Sequence, residues 1–212
     1  MRQVAIEGPR RATIIDAPTP VAIDDWVVVR VATVPMCTEV RQWQAGTPTT
    51  VLGHEAIGVV AEVARPGRVT VGQRVVVQPT WPCGGCPLCA SGDYIHCQDG
   101  PDFAAYTGSS AGSAGYAEFV LKPDWLCSPV PDDLSETRAA LLLCGLGPSF
   151  GAFQAIGLAA ADTLVVAGLG PVGLGAVVNA RHRGARVLAV EGQPWRAALG
   201  AELGAEEIGR AS

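Results

Sequence analysis

The chain has 212 residues, is 49% apolar and carries a formal net charge of −5, with a pI near 5.2. That length fits one large domain or two small ones, and an acidic balance without any basic run excludes nucleic acid and an anionic membrane surface as partners. The first eight residues, from Met1 to Gly8, contain no apolar signal core, so the expected compartment is the cytoplasm, where thiols stay reduced.

In chain order, the β-branched run 26–34 reads as a strand that Pro35 ends. Residues 56–63 follow as a second strand, Pro66-Gly67 as a turn, and 73–77 as a third strand. Next comes Cys83, Cys86, Cys89 and Cys97, spaced C-x2-C-x2-C-x7-C. Two-residue gaps turn successive thiolates onto one centre, and the longer gap closes a lobe over it. Four thiolates at about 2.3 Å satisfy tetrahedral Zn²⁺ and leave no open position, so this is a structural site. The alternative, two disulfides of a secreted protein, has no other secretory feature beside it.

Residues 98–115 are rich in Gly, Ser and Asp and read as a loop, with 116–122 returning to strand. The period then changes. Ser135 can cap a helix through Leu143, with Glu136 near its positive end, and a second helical segment covers about 149–158. Residues 163–167 form a short buried strand, 168–173 a glycine-rich turn, and a helix runs on to Arg183. Residues 186–190 make another strand that ends in Glu191, and Pro194 starts a helix to Leu203. The reading is α+β: a β-rich domain over 1–158, then the opening of an α/β domain over 159–212. The uncharged stretches 139–161 and 163–180 are long enough to span a bilayer. Their repeated glycines and the strand–turn–helix pattern of the second argue for a buried parallel sheet instead.

Gly168-Leu169-Gly170-Pro171-Val172-Gly173 follows a strand, opens a helix and precedes an acidic residue at the end of the next strand. In that context G-x-G-x-x-G is a dinucleotide fingerprint. Gly168 permits the tight turn, Gly170 lets backbone amides approach the pyrophosphate, Pro171 and Val172 carry the chain into the helix, and Gly173 allows close helix–strand packing. The helix N-terminus faces the phosphates. Glu191 would accept from the ribose hydroxyls and repel a 2′-phosphate, which favours NAD over NADP.

Cys37, His54 and Cys144 remain. Two Cys and one His make three ligands and leave a fourth position for water or substrate, the pattern of a catalytic zinc, although spacing alone cannot join three residues so far apart. The order Cys37, Gly53-His54-Glu55, the four-cysteine motif, Cys144, the glycine-rich turn and Glu191 resembles the zinc-dependent medium-chain alcohol and polyol dehydrogenases over the whole chain. The resemblance implies a GroES-like β-barrel followed by a Rossmann domain, two Zn²⁺, a small-molecule alcohol, aldehyde or ketone substrate, and a homo-oligomer. It implies Cys37, His54 and Cys144 as the catalytic zinc ligands, with Glu55 as a carboxylate that approaches the metal during ligand exchange. An alcohol on that zinc would deprotonate near neutral pH and pass hydride to the nicotinamide. Cys127 matches no ligand and reads as core.

Two departures stand out. Family members place Ser or Thr two residues after the first Cys, then Asp; here the run is Met36-Cys37-Thr38-Glu39-Val40. With one residue deleted, Thr38 is the proton-relaying hydroxyl and Glu39 the acid that orients His54. Counted directly, Glu39 is itself the proton acceptor. The first is preferred, because a metal-bound His needs a partner on its other nitrogen. Second, the chain stops at Ser212 after two Rossmann strands, where a full domain has about six. It is expected to be a fragment, a truncated gene or half of a two-chain enzyme, lacking the usual dimer strands and giving no turnover alone. The rival reading is a non-catalytic zinc-binding relative that serves as an interaction partner. Trp43, Phe103 and Tyr106 are the weakly placed pocket candidates.

Overall fold

The computed structural model describes residues 1–209, with side chains through Glu206. The chain divides into two compact units, Met1–Ala140 and Leu141–Ser212. This division falls ahead of the 158/159 boundary read from the sequence, because the helical residues that follow Ala140 pack on a helix of the second unit.

The first unit begins with an antiparallel hairpin, β1 (Arg2–Gly8) and β2 (Arg11–Asp16). Its turn holds Arg10 at φ 56°. Then come β3 (Trp26–Thr33), α1 (Glu39–Ala45), β4 (Ala56–Glu62) and β5 (Arg74–Val77). The short helices α2 (Pro87–Ala90) and α3 (Phe103–Thr107) lead to β6 (Phe119–Pro123), β7 (Cys127–Pro129) and α4 (Glu136–Ala139). The larger sheet is antiparallel in the order β6-β3-β4-β5-β7. Bridges Gln3↔Ala117 and Ile6↔Thr49 tie the hairpin to neighbouring segments. The described strands of the first unit form these two sheets.

β3 is buried from Trp26 to Val29 because both of its faces are covered. Val27 and Val29 pack with Val60, Val75, Val120 and Cys127 on one side. Trp26 and Val28 pack with Leu121 on the other, against Trp81 and Phe103. The second side is an aromatic cluster: Trp26 stacks on Trp81 at 5.3 Å and meets Tyr106 at 4.8 Å. Lys122 Nζ, almost fully buried, lies 3.5 Å from the Trp81 ring centroid.

The second unit opens with a π-helical turn, Leu142–Leu146, and continues through α5 (Gly147–Ala155), β8 (Thr163–Ala167), α6 (Pro171–His182), β9 (Arg186–Val190), α7 (Pro194–Glu202) and β10 (Glu206–Gly209). The three strands are parallel in the order β10-β9-β8, as in a Rossmann half. Val166, Leu169, Val177, Ala180, Val187 and Ala189 form its core. β10 is a strand beyond the two read from the sequence. The single Ser135-capped helix expected through Leu143 is instead α4 followed by the π-helical turn. Ser135 does accept from the Arg138 N–H at 3.4 Å. Within the described residues no helix is long and apolar enough to cross a membrane.

Burial pushes the Lys122 ammonium down to about 7, opposed by the buried Cys127 beside it. Burial pushes the Cys127 thiol up to about 12, with Lys122 and Asp124 acting in opposite directions. From pH 7 upward the unfolded chain keeps a Lys122 proton that the folded chain has released, so stability rises with pH. Above pH 9, the ordinary thiol value, the unfolded Cys127 loses a proton that the folded chain keeps, and the rise is cancelled. The stability difference between wild type and Lys122→Met should therefore climb by about 2 kcal/mol from roughly pH 7 to pH 9 in denaturant unfolding. A difference flat with pH would mean that the Trp81 face keeps the ammonium charged throughout.

Candidate functional site

The four-cysteine lobe lies in the first unit. Its sulfurs all fall within 4.8 Å of one another. Cys83 and Cys89 Sγ are 3.9 Å apart, as are Cys86 and Cys97 Sγ. A tetrahedron with metal–sulfur bonds of about 2.3 Å has edges of about 3.8 Å, whereas a disulfide needs about 2.05 Å. Gly84, at φ +78°, turns the chain beneath Trp125. The Cys86 N–H donates to Cys83 Sγ at 3.3 Å and the Cys83 N–H to Cys97 Sγ at 3.2 Å. Such backbone donors bring the Cys83 thiol down to about 7, while burial raises Cys89 to about 12. A cation among the sulfurs removes that conflict, because a coordinating thiol is deprotonated outright.

Cys37, Glu39, His54 and Glu55 gather elsewhere in the same unit. Cys37 and His54 offer ligand atoms within 4.8 Å of each other. Glu39 sits in the first turn of α1, where the helix dipole favours its charge. Its Oε2 accepts from the Cys37 N–H at 2.9 Å, and its Oε1 accepts from the His54 N–H at 3.2 Å. The same Oε1 lies 2.7 Å from His54 Nδ1. Burial pushes the Glu39 carboxyl up, but these donors outweigh it and hold the group below its ordinary range. The carboxylate therefore fixes the proton on Nδ1 and leaves the Nε2 lone pair for a metal. Glu55, also buried, has Oε1 4.0 Å from Nε2. Thr38 is the exposed N-cap of α1 and makes no capping bond with its side chain.

Gly53 precedes His54 at φ +81°; a Cβ there would lie 2.6 Å from the Tyr116 ring. The Tyr116 hydroxyl is buried without a hydrogen-bond partner among the described residues, and burial pushes it up to about 12. Sequence reasoning did not single out this residue. Its signal was positional: a Tyr opening the strand read at 116–122. Tyr116, Glu39, Trp43, Leu52 and Met36 line a cavity of about 380 Å³. Phe103 and Tyr106 instead belong to the aromatic cluster around Trp26.

Cys144 belongs to the second unit, within the π-helical turn, a geometry that recurs at functional sites. The glycine-rich loop is in this unit too. Gly168 has φ +87°, and its N–H donates to Val190 O at 2.8 Å. A Cβ on Gly173 would lie 1.9 Å from Gly168 O, whereas one on Gly170 meets nothing within 4 Å. Pro171 and Val172 begin α6, with Gly170 as its N-cap and no side chain capping its first N–H groups. Glu191 is only 7% exposed. Its oxygens accept from the Leu169 N–H at 2.7 Å and the Gln193 N–H at 2.8 Å, which hold it ionised. It thus braces the loop as well as facing it, a duty the sequence did not reveal. Gly173→Ala should cost roughly 2–4 kcal/mol by forcing the turn open, while Gly170→Ala should cost under about 1 kcal/mol. Thermal melts of the two variants check this, and equal losses would refute the tight-turn account.

Residues 23–132 match the family model described as the alcohol dehydrogenase GroES-like domain. A zinc-type alcohol dehydrogenase-like protein of Escherichia coli K12 is 35% identical over 159 residues, 74% of this chain and 44% of that protein. Sorbitol dehydrogenase of Bombyx mori is 27% identical across 96% of this chain and 60% of its own length. A solved NAD-dependent alcohol dehydrogenase superposes with a TM-score of 0.85 at 25% identity, covering 99% of this chain and 63% of that one. The chain spans about half the length of the relatives it matches. With its first unit so matched, the chain belongs to the alcohol dehydrogenase GroES-like domain family.

Proposed function

We propose that the chain forms the metal-binding and cofactor-loop portion of a zinc-dependent oxidoreductase that moves a hydride between an alcohol or polyol and NAD. The Glu39–His54 pair beside Cys37, in a chain of this family, is the observation that carries the reading. The names of the Bombyx mori and NAD-dependent relatives support the polyol class and the cofactor. Residues 1–158 serve the metal and 159–212 the dinucleotide. The protein works in the cytoplasm, where its thiols stay reduced.

Two zinc ions are held. Cys83, Cys86, Cys89 and Cys97 take one as a closed structural site. Cys37, His54 and Cys144 take the other. Two thiolates and an imidazole already bound to a carboxylate make the donor set of an open zinc site. Zinc supplies a Lewis acid that lowers the pKa of an alcohol, and NAD supplies the hydride acceptor. Glu39 keeps His54 in the metal-binding tautomer. The exposed Thr38 hydroxyl carries the alcohol proton outward, and Glu55 can approach the ligands during exchange. Gly168 and Gly173 hold the turn tight, and Gly170 lets the pyrophosphate approach the loop amides at the N-terminus of α6. Glu191 braces that loop and offers its remaining lone pairs to the ribose hydroxyls, which sets NAD above NADP.

Metal analysis should find two zinc ions per chain. Cys97→Ser should lose one and several kcal/mol of stability, since structural zinc contributes folding free energy on the order of 10 kcal/mol. Cys144→Ser should lose the other and about 1 kcal/mol or less. The full-length, zinc-loaded protein should form NADH from a panel of alcohols and polyols, and Glu39→Gln should slow it about 10–100-fold. An enzyme with both metals bound that oxidises none of the panel would overturn the reading.

Glu191→Ala should weaken NAD binding and narrow the preference over NADP, because both the loop brace and the repulsion of a 2′-phosphate are removed. Dissociation constants for the two nucleotides, measured on wild type and variant, decide it. A wild type that prefers NADP refutes the role given to Glu191.

A further inference from the structure

We propose that Gly175 and Asn179 of α6 are positioning residues that set the place of the Cys144 thiolate through the π-helical turn Leu142–Leu146. The proposal rests on the reading of Cys144 as a metal ligand and goes beyond it to what holds that ligand in register.

A π-helical turn contains one residue more than an α-helical turn and is normally disfavoured, so something outside it must hold it. Here the Leu146 N–H donates to Leu141 O at 3.1 Å, five residues back, which is the π pattern. Leu146 O, at the end of the turn, gathers side-chain donors from both α5 and α6. Asn179 Nδ2 donates to Leu146 O at 2.9 Å and to Ser149 Oγ at 2.7 Å. The buried Ser149 hydroxyl in turn donates to Leu146 O at 3.0 Å. One amide side chain on α6 therefore closes a three-way network at the end of the turn.

Gly175 supplies the second constraint. A Cβ there would fall 2.0 Å from Gly145 O, 2.9 Å from Gly145 C and 3.2 Å from Leu146 Cα. All three atoms are backbone, so none can swing aside. The turn carrying Cys144 lies against α6 closely enough that only glycine fits between them. Gly175 and Asn179 are one turn apart on α6 and face the same way.

The consequence for the thiolate is geometric. If the turn relaxed to α-helical register, the residues on one side of the bulge would rotate by about 100° relative to the other. Cys144, in the middle of the turn, would point elsewhere. α6 thus carries the dinucleotide loop at its N-terminus and indexes the cysteine on its flank.

Cadmium NMR of the cadmium-substituted full chain tests this, because four-thiolate and two-thiolate centres give separate resonances. Asn179→Ala should leave the four-cysteine resonance in place and shift or abolish the other. Zinc affinity at that centre, measured by chelator competition, should fall by about tenfold. Gly175→Ala should do the same or more. If Gly175→Ala does not fold, Asn179→Ala decides, since it adds no atom. An Asn179→Ala protein with both resonances and both affinities unchanged overturns the positioning role. Cys144→Ser separates the two levels. If it moves the second resonance and Asn179→Ala does not, the ligand reading stands and the positioning inference fails. If it too moves nothing, Cys144 is not a ligand and both fall together.

Discussion

One buried carboxylate organises the first unit's chemistry. Glu39 receives the Cys37 N–H, the His54 N–H and His54 Nδ1 on its two oxygens. The His54 donors come from a segment fifteen residues from Glu39 in sequence. A carboxylate this deeply buried costs several kcal/mol to desolvate, and only hydrogen bonds to its charged form offset that cost. The acid and the two candidate ligands therefore stabilise one another: without the donors Glu39 has no reason to stay ionised, and without Glu39 the His54 ring has no fixed tautomer. The position of α1 follows from the same group, since Glu39 occupies its first turn.

Close steric contacts between backbones set much of the second unit. Gly173 lies against Gly168 O, and Gly175 against Gly145 O, in each case closer than any side chain allows. Both sit on α6, within three residues of each other. The first contact sets the turn from β8 into the helix, and the second sets the helix against the turn that holds Cys144. Backbone-to-backbone packing of this kind has little slack, because neither partner has a rotamer to change. Short apolar strands then suffice around it: Val166, Val187 and Ala189 are buried although each strand has only five residues.

What the sequence disclosed follows from where its signals were local. The strands at 163–167 and 186–190, bounded by Asp162, Gly168 and Gly184, coincide with β8 and β9. The two-residue cysteine gaps stated their own geometry, and the four sulfurs do converge. Signals depending on distant partners were hidden. The residues 98–115 read as loop contain α3, whose Asp102 cap accepts from Ala105 N–H at 3.0 Å but whose aromatics are ordered by Trp26, far away in sequence. The helix read from Ser135 through Leu143 missed the π-helical turn, because nothing in an apolar run marks an inserted residue; the turn depends on Asn179 and Gly175, some thirty residues downstream. Glu39 was left with two roles by counting alone, and its pairing with His54 Nδ1 is a fact of three dimensions. β10 was missed because Glu206 and Glu207 carry the wrong polarity for a buried strand; as the outer strand beside β9 it needs only one apolar neighbour.

Glu191 illustrates how a residue picked for a ligand can first serve the fold. Its oxygens are already engaged by Leu169 and Gln193 N–H groups, one on each side of the strand end. Each carboxylate oxygen has a second lone pair, so bracing the loop and accepting ribose hydroxyls do not compete for acceptors. They do share one charge. Among the described residues, nothing lies within 4 Å of where a Gly170 Cβ would stand, so the loop is held from within. A carboxylate bonded from within keeps the amides at the N-terminus of α6 oriented before any phosphate arrives, and preorganised donors cost nothing to reorient on binding. Replacing that charge would change the loop's resting shape, so the acid serves the strand end through its own hydrogen bonds.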